Sequence, residues 1–159
     1  MSNLEQLLKR LLDQRVEFVI VGGYAVMAHG APLLTQDVDI CCRFDAENLL
    51  RLQTAVADLH PVHRMTPQKV PLQLTLESCA GLKNLYLRTD FGVVDCLGEI
   101  LGVGDFDAVL RESVTLSLDF GDCRILSLDA LIRAKEALDR PRDKQAVVEL
   151  RAIRERRAR

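Results

Sequence analysis

No stretch of the chain constrains its folding as much as Phe18-Val-Ile-Val21-Gly22-Gly23. Four consecutive apolar residues, three of them β-branched, read as a short buried strand. The two glycines end it in a tight turn and lead into a helix through Tyr24–His29. A second strand candidate, Val38-Asp-Ile-Cys-Cys42, follows closely and places an acid between apolar neighbours. Strand, glycine turn, helix and strand in this order exclude an all-helical chain and call for a sheet with helices on at least one face.

The flanking sequence fills in that layout. Ser2 and Glu5 have capping-box spacing, and Leu4, Leu7, Leu8, Leu11 and Leu12 form one helical stripe, so a first helix runs to about Gln14 with its leucines in the core. Asp45 caps a helix whose stripe is Leu49, Leu52, Ala55, Val56 and Leu59. Pro61 to Pro71 shows no assignable pattern. Leu85–Arg88 and Val93–Cys96 flank the turn-rich Thr89-Asp-Phe-Gly92 and read as a hairpin, with a further strand pair at Val114–Leu118 and Cys123–Leu126. Ser127 opens a helix bearing Leu128, Leu131, Ile132, Lys135 and Leu138 on one face, and Pro141 suits the first turn of a last helix with Ala146, Val147, Leu150 and Ile153 inward. Residues 1–159 therefore read as one α+β unit, a mixed β-sheet with flanking helices, closed by a helical segment over 127–157.

Composition removes several classes of function. With 159 residues, 48% hydrophobic and 28% charged, the chain suits one globular domain. The net charge of -2 gives no global field for coating a nucleic acid. Two Tyr, five Phe and no Trp supply few stacking platforms for bases. No apolar run approaches the roughly 18–20 residues that span a bilayer and no leader is visible, so the expectation is a soluble cytoplasmic protein with no membrane partner. The five cysteines, Cys41, Cys42, Cys79, Cys96 and Cys123, form neither a disulfide framework nor a zinc motif and are expected as buried free thiols. His60 and His63 lack the partners of a zinc set and read as loop residues. Gly102-Val-Gly104-Asp105 lacks the Lys-Ser/Thr of a P-loop and reads as a turn capped by Asp105. Residues 130–159 carry +5 and residues 1–129 carry -7, and the basic end reads as an exposed, solubilising helix.

Chemistry concentrates in the acids. Asp37 and Asp39, two apart on a strand, are expected on one face, with Val38 and Ile40 in the core. Two carboxylates this close call for a cation, and hard oxygen ligands suit magnesium or manganese, which also accept phosphate oxygens. The Gly22-Gly23 turn lets backbone approach a phosphate without a side chain in the way. Asp95, closing the run Phe91-Gly-Val-Val-Asp95, is the expected third carboxylate, with Asp90 as the rival that occupies the turn. Lys135 lies on the apolar stripe of its helix and either reaches inward to phosphate or snorkels outward. Arg140, Arg142 and Lys144 are expected in a solvated turn.

Val21-Gly22-Gly23, a spacer of thirteen residues and Asp37-Val38-Asp39 together resemble the nucleotidyltransferase superfamily, which includes polymerase beta and minimal bacterial members near the abortive-infection toxins. Leu87–Asp95 is similar to that family's third-carboxylate strand, and Leu126–Lys135 with Arg140-Pro-Arg-Asp143 to its small bacterial members. The spacer is long for the family and no second helical domain follows the motif. The resemblance implies a polymerase beta-like fold and magnesium held by Asp37, Asp39 and Asp95. It also implies ATP as nucleoside triphosphate with its phosphates on Gly22 and Gly23, and transfer of AMP to a hydroxyl on a protein, RNA or small molecule. A partner protein or a second copy would build the other wall of so short a chain's cleft. The alternative is a catalytically silent nucleotide-binding or toxin–antitoxin-type interaction module.

Overall fold

The computed structural model describes every residue from Met1 to Arg159. Its elements follow in the order α1 (Asn3–Asp13), β1 (Phe18–Val21), α2 (Gly22–Ala28), β2 (Val38–Cys42), α3 (Ala46–Val56), a 3-10 turn (Ala57–Leu59), β3 (Val62–His63), α4 (Leu76–Cys79), β4 (Asn84–Thr89), β5 (Gly92–Leu97), β6 (Glu99–Ile100), β7 (Gly104–Asp105), α5 (Phe106–Arg111), β8 (Ser113–Leu118), β9 (Gly121–Leu126), α6 (Leu128–Leu138) and α7 (Pro141–Arg157). Seven strands form one sheet in the order β3-β4-β5-β2-β1-β9-β8, and β6 with β7 forms a small separate ribbon. The sheet is mixed: β2 runs parallel to β5 and β1 to β9, while β1 and β2 are antiparallel. This is the expected α+β arrangement.

All four residues of β1 are buried, as are Val38, Ile40, Cys41 and Cys42 on β2, so helices cover both faces at the centre of the sheet. A single cluster of 42 buried apolar residues joins the stripe of α1 (Leu4, Leu7, Leu8, Leu11) to that of α3 (Leu49, Leu52) and to Leu131 and Leu150 on α6 and α7. Every cysteine is buried and free.

Most boundaries follow their local signals. The Ser2 hydroxyl accepts from Glu5 N at 3.1 Å, the Asp45 carboxylate from Asn48 N at 2.8 Å and the Ser127 hydroxyl from Ala130 N at 3.2 Å. The β4–β5 hairpin pairs Thr89 with Gly92 around Asp90-Phe91. Asp105 is the N-cap of α5, a helix absent from the sequence reading, and accepts from Ala108 N at 3.0 Å. Two further details differ from the sequence reading. The helix after β1 begins at Gly22 itself, so the glycines are its first residues rather than a separate turn. His63 belongs to β3, paired with Leu87, rather than to a loop.

Candidate active site

Strand register assembles the site. Val21 on β1 pairs with Asp39 on β2, Asp39 with Asp95 on β5, and Asp95 with Tyr86 on β4. Registered partners share a face, so a single row crosses four strands with two carboxylates at its middle. Over this row α6 and the start of α7 close a cavity of about 460 Å³, into which Asp39, Asp95, Arg64, Lys135, Arg140 and Arg142 all open. Ile100, Leu101, Leu131 and Leu138 make an apolar part of the remaining wall, with Glu99 at its edge. An acidic floor thus lies under a basic roof.

Gly22 makes the floor possible. Its φ is +64°, and a β-carbon there would sit 2.3 Å from Oδ2 of Asp39, so no other residue fits. Gly23 is freer, because its β-carbon would meet Thr35 Oγ1 at 3.3 Å. Pressed between this backbone and the sheet, Asp39 is pushed up to about 6, first by burial and then by the charges of Asp95 and Asp37. Lys135 and Arg64 only partly offset that rise.

Asp95 has a different environment. Nε of Arg64 donates to its Oδ1 at 2.8 Å and Nη2 to its Oδ2 at 2.5 Å, a two-pronged ion pair that occupies both oxygens. Arg64 follows β3 directly, in the stretch that the sequence left unassigned. Its own N–H donates to the Tyr86 carbonyl at 3.0 Å, and its guanidinium lies over the Tyr86 ring. Only the tertiary pairing of β3 with β4 brings it here, so no local pattern announces it.

Asp37 does not share the cavity. It precedes β2, is exposed, and faces a neighbouring cleft of about 680 Å³ with Thr35, Arg88 and Asp90, where its N–H donates to Thr35 Oγ1 at 3.3 Å. Strand alternation does not reach it, because the strand begins one residue later at Val38. Asp37 acts on Asp39 through charge, whereas no three carboxylate, histidine or cysteine side chains are grouped as a ready-made metal cage. Asp90 occupies the hairpin turn as expected and accepts from His60 Nδ1 at 2.7 Å.

Lys135 points inward. Its side chain is 15% exposed, and Nζ lies 3.6 Å from Oδ1 of Asp143, an acid that is 1% exposed at the first turn of α7. Nε of Arg140 donates to the same carboxylate at 2.6 Å. Both cations hold Asp143 below the ordinary carboxylate range, Arg140 foremost. Arg140 and Arg142 are exposed, as expected, but they also line the cavity at the corner between α6 and α7, where the buried Asp143 pairs with Arg140. Asp143 is a missed residue; its signal was the three-residue cap spacing from Arg140 behind Pro141. Lys144 stays exposed beside Asp139.

The residues present fit a hard divalent ion in part. Asp39, raised by its own neighbours and bonded to no cation, would be relieved by one, and Asp37 is close enough to contribute charge. Asp95 accepts from Arg64 on both oxygens, which leaves one lone pair on each for an ion.

No protein-family model matches the chain, and no curated protein sequence matches it. Solved structures do. A protein of Thermotoga maritima assigned as a nucleotidyltransferase superposes with a TM-score of 0.58 at 18% identity, over 91% of this chain and 87% of the other. The lincosamide antibiotic adenylyltransferase LnuA, bound to lincomycin, gives 0.62 at 15% identity over 95% and 96%. ANT(2'')-Ia in complex with adenylyl-2''-tobramycin gives 0.53 at 15% over 96% and 95%. No helix is long and apolar enough to cross a membrane. With its seven-stranded mixed sheet and flanking helices matched along nearly its whole length, the chain shares the fold of these nucleotidyltransferases.

Proposed function

We propose that the protein transfers a nucleoside monophosphate, AMP from ATP, to a hydroxyl acceptor. The observation that carries this reading is Asp39 held against Gly22 on the floor of a cavity roofed by Lys135 and Arg140. Carboxylates below and cations above suit a triphosphate whose α-phosphorus meets the acids while its outer phosphates meet the bases. Gly22 and Gly23, which expose backbone at the start of α2, are the proposed phosphate contacts, with Lys135 beside them.

In the reaction the acceptor oxygen attacks the α-phosphorus, the bond to the β-phosphate oxygen breaks, and pyrophosphate leaves. The hydroxyl proton passes to a carboxylate of the floor, for which Asp95 is proposed. Asp37 and Asp39 would hold magnesium or manganese, with Asp95 joining them. Such an ion, when bound, would neutralise phosphate charge and polarise the reacting phosphoryl group. The neighbours bound to lincomycin and to an adenylylated tobramycin support a small molecule as the hydroxyl donor.

The test is incubation with α-labelled ATP and magnesium or manganese, against a panel of hydroxylated small molecules and a cell extract. Label should appear on an acceptor with release of pyrophosphate, and Asp39→Ala should abolish both. Neither signal with any of the four triphosphates would overturn the transferase reading. The silent nucleotide-binding or interaction module is a second reading, favoured by one observation, the occupation of both Asp95 oxygens by Arg64. It predicts magnesium-dependent nucleotide binding without turnover.

A further inference from the structure

We propose that Arg64 is a positioning residue that exchanges partners: it holds Asp95 in the free protein and passes to a triphosphate oxygen when nucleotide and divalent ion enter together. The inference rests on the transferase reading and assigns to Arg64 the coupling between its two ligands.

Three features of Arg64 support exchange rather than a fixed structural pair. Its backbone is anchored by the bond to Tyr86 and its guanidinium lies over the Tyr86 ring, so the group can swing without β3 moving. Of its three nitrogens, Nη1 reaches only the Met65 sulfur at 3.2 Å, a weak acceptor that a phosphate oxygen would readily replace. The pair is also open to solvent, with Arg64 at 28% and Asp95 at 14% exposure, and both side chains line the cavity proposed for the nucleotide.

Charge then imposes the coupling. Asp39 and Asp95 are registered partners on neighbouring strands, and Arg64 lines the same cavity as both. A divalent ion at Asp39 and the guanidinium at Asp95 would repel one another across this short distance. Entering alone, the ion must share Asp95 with the guanidinium against that repulsion or displace it. Arriving with a triphosphate, it leaves Arg64 a new anionic partner. Each ligand must then tighten the other by the same factor.

Manganese binding, read by electron paramagnetic resonance with and without α,β-methylene-ATP, tests this directly in the full chain. For the wild type we expect weak manganese binding alone and at least about tenfold tighter binding with the analogue. Arg64→Gln should bind manganese alone about tenfold tighter than wild type, lose most of the nucleotide coupling, and bind the analogue about tenfold more weakly while AMP affinity stays level. Arg64→Lys keeps the charge but not the fork and should lie between, and it serves if the glutamine variant unfolds. A folded Arg64→Gln with wild-type manganese affinity and coupling, in a protein that still transfers AMP, would overturn the inference alone. A wild type that binds neither manganese nor the analogue would overturn the transferase reading and the inference together.

Discussion

Gly22 and Gly23 are the same letter twice, yet the fold uses them differently. A methyl group at Gly22 collides with Asp39 and forces a side chain into a positive φ, whereas at Gly23 it meets the Thr35 side chain at 3.3 Å, a tight contact that a small shift of Thr35 relieves, and Leu33 at 3.7 Å. Gly22→Ala should abolish transfer and destabilise the protein by about 1–3 kcal/mol. Gly23→Ala should keep the fold and most activity, as thermal unfolding and the labelled-ATP assay would show. Asp39 supplies a second residue-level prediction. Its folded-state value of about 6 lies above the ordinary 3.8, so the native state holds a proton that the unfolded chain releases over that interval. Stability therefore falls as pH rises from about 4 to about 6, and the full penalty remains above. Asp39→Asn should leave stability unchanged near pH 4 and raise it above pH 6 by about 1–3 kcal/mol, the upper figure ignoring solvent screening. Equal melting temperatures for variant and wild type at pH 8 would contradict this.

The corner between α6 and α7 shows how an element can set a site. Asp143 accepts from the N–H of Arg140 at 3.2 Å, from Nε at 2.6 Å and from Nη2 at 3.2 Å, and it steers Lys135 as well. Asp143→Ala should remove about 2–3 kcal/mol of stability in urea unfolding, less than a fully buried pair would show because Arg140 is partly solvated. Asp143→Asn retains the helix cap and should lose less. The folded-state value is depressed, so the ionised form contributes above the ordinary carboxylate range, and that contribution is lost as pH falls through the depressed value. Elements with strong local signals were legible in sequence: α1, α3 and α6 announce themselves by cap and stripe, β1 by an unbroken apolar run, and β2 and β5 by apolar runs that each carry one aspartate. β3 was not, because two residues carry no period and its place depends on pairing with β4. The four-residue α4 is too short to form on propensity and rests on the reciprocal Thr75–Ser78 cap. The floor of the site was legible because Gly22, Asp39 and Asp95 lie on or beside such runs. Arg64 and Asp143 were not, since long-range register and a helix corner deliver them.

Across the whole molecule, the split between a -7 body and a +5 final segment is tempered by surface ion pairs, with Arg156 left exposed. Arg151 pairs with Glu136 at 2.7 Å, Arg154 with Asp129 at 3.3 Å and Arg159 with Glu155 at 3.7 Å, while Nη2 of Arg157 donates to the His29 carbonyl at 3.1 Å. Cations also gather where α6 meets α7, over the carboxylates of the sheet: Lys135 and Arg140 share Asp143, Arg64 is paired with Asp95, and Arg142 lines the same cavity. Triphosphate affinity should therefore depend on the cavity cations and on salt, not on the charge of the tail. Lys135→Gln should weaken ATP-analogue binding about tenfold and AMP binding much less, because an outer phosphate loses its partner, and it should reduce the salt dependence. Arg154→Gln removes the same formal charge from the surface and should change neither. Titration calorimetry at low and physiological ionic strength separates the two cases, and equal losses in both variants would mean that net charge, rather than the roof of this cavity, holds the nucleotide.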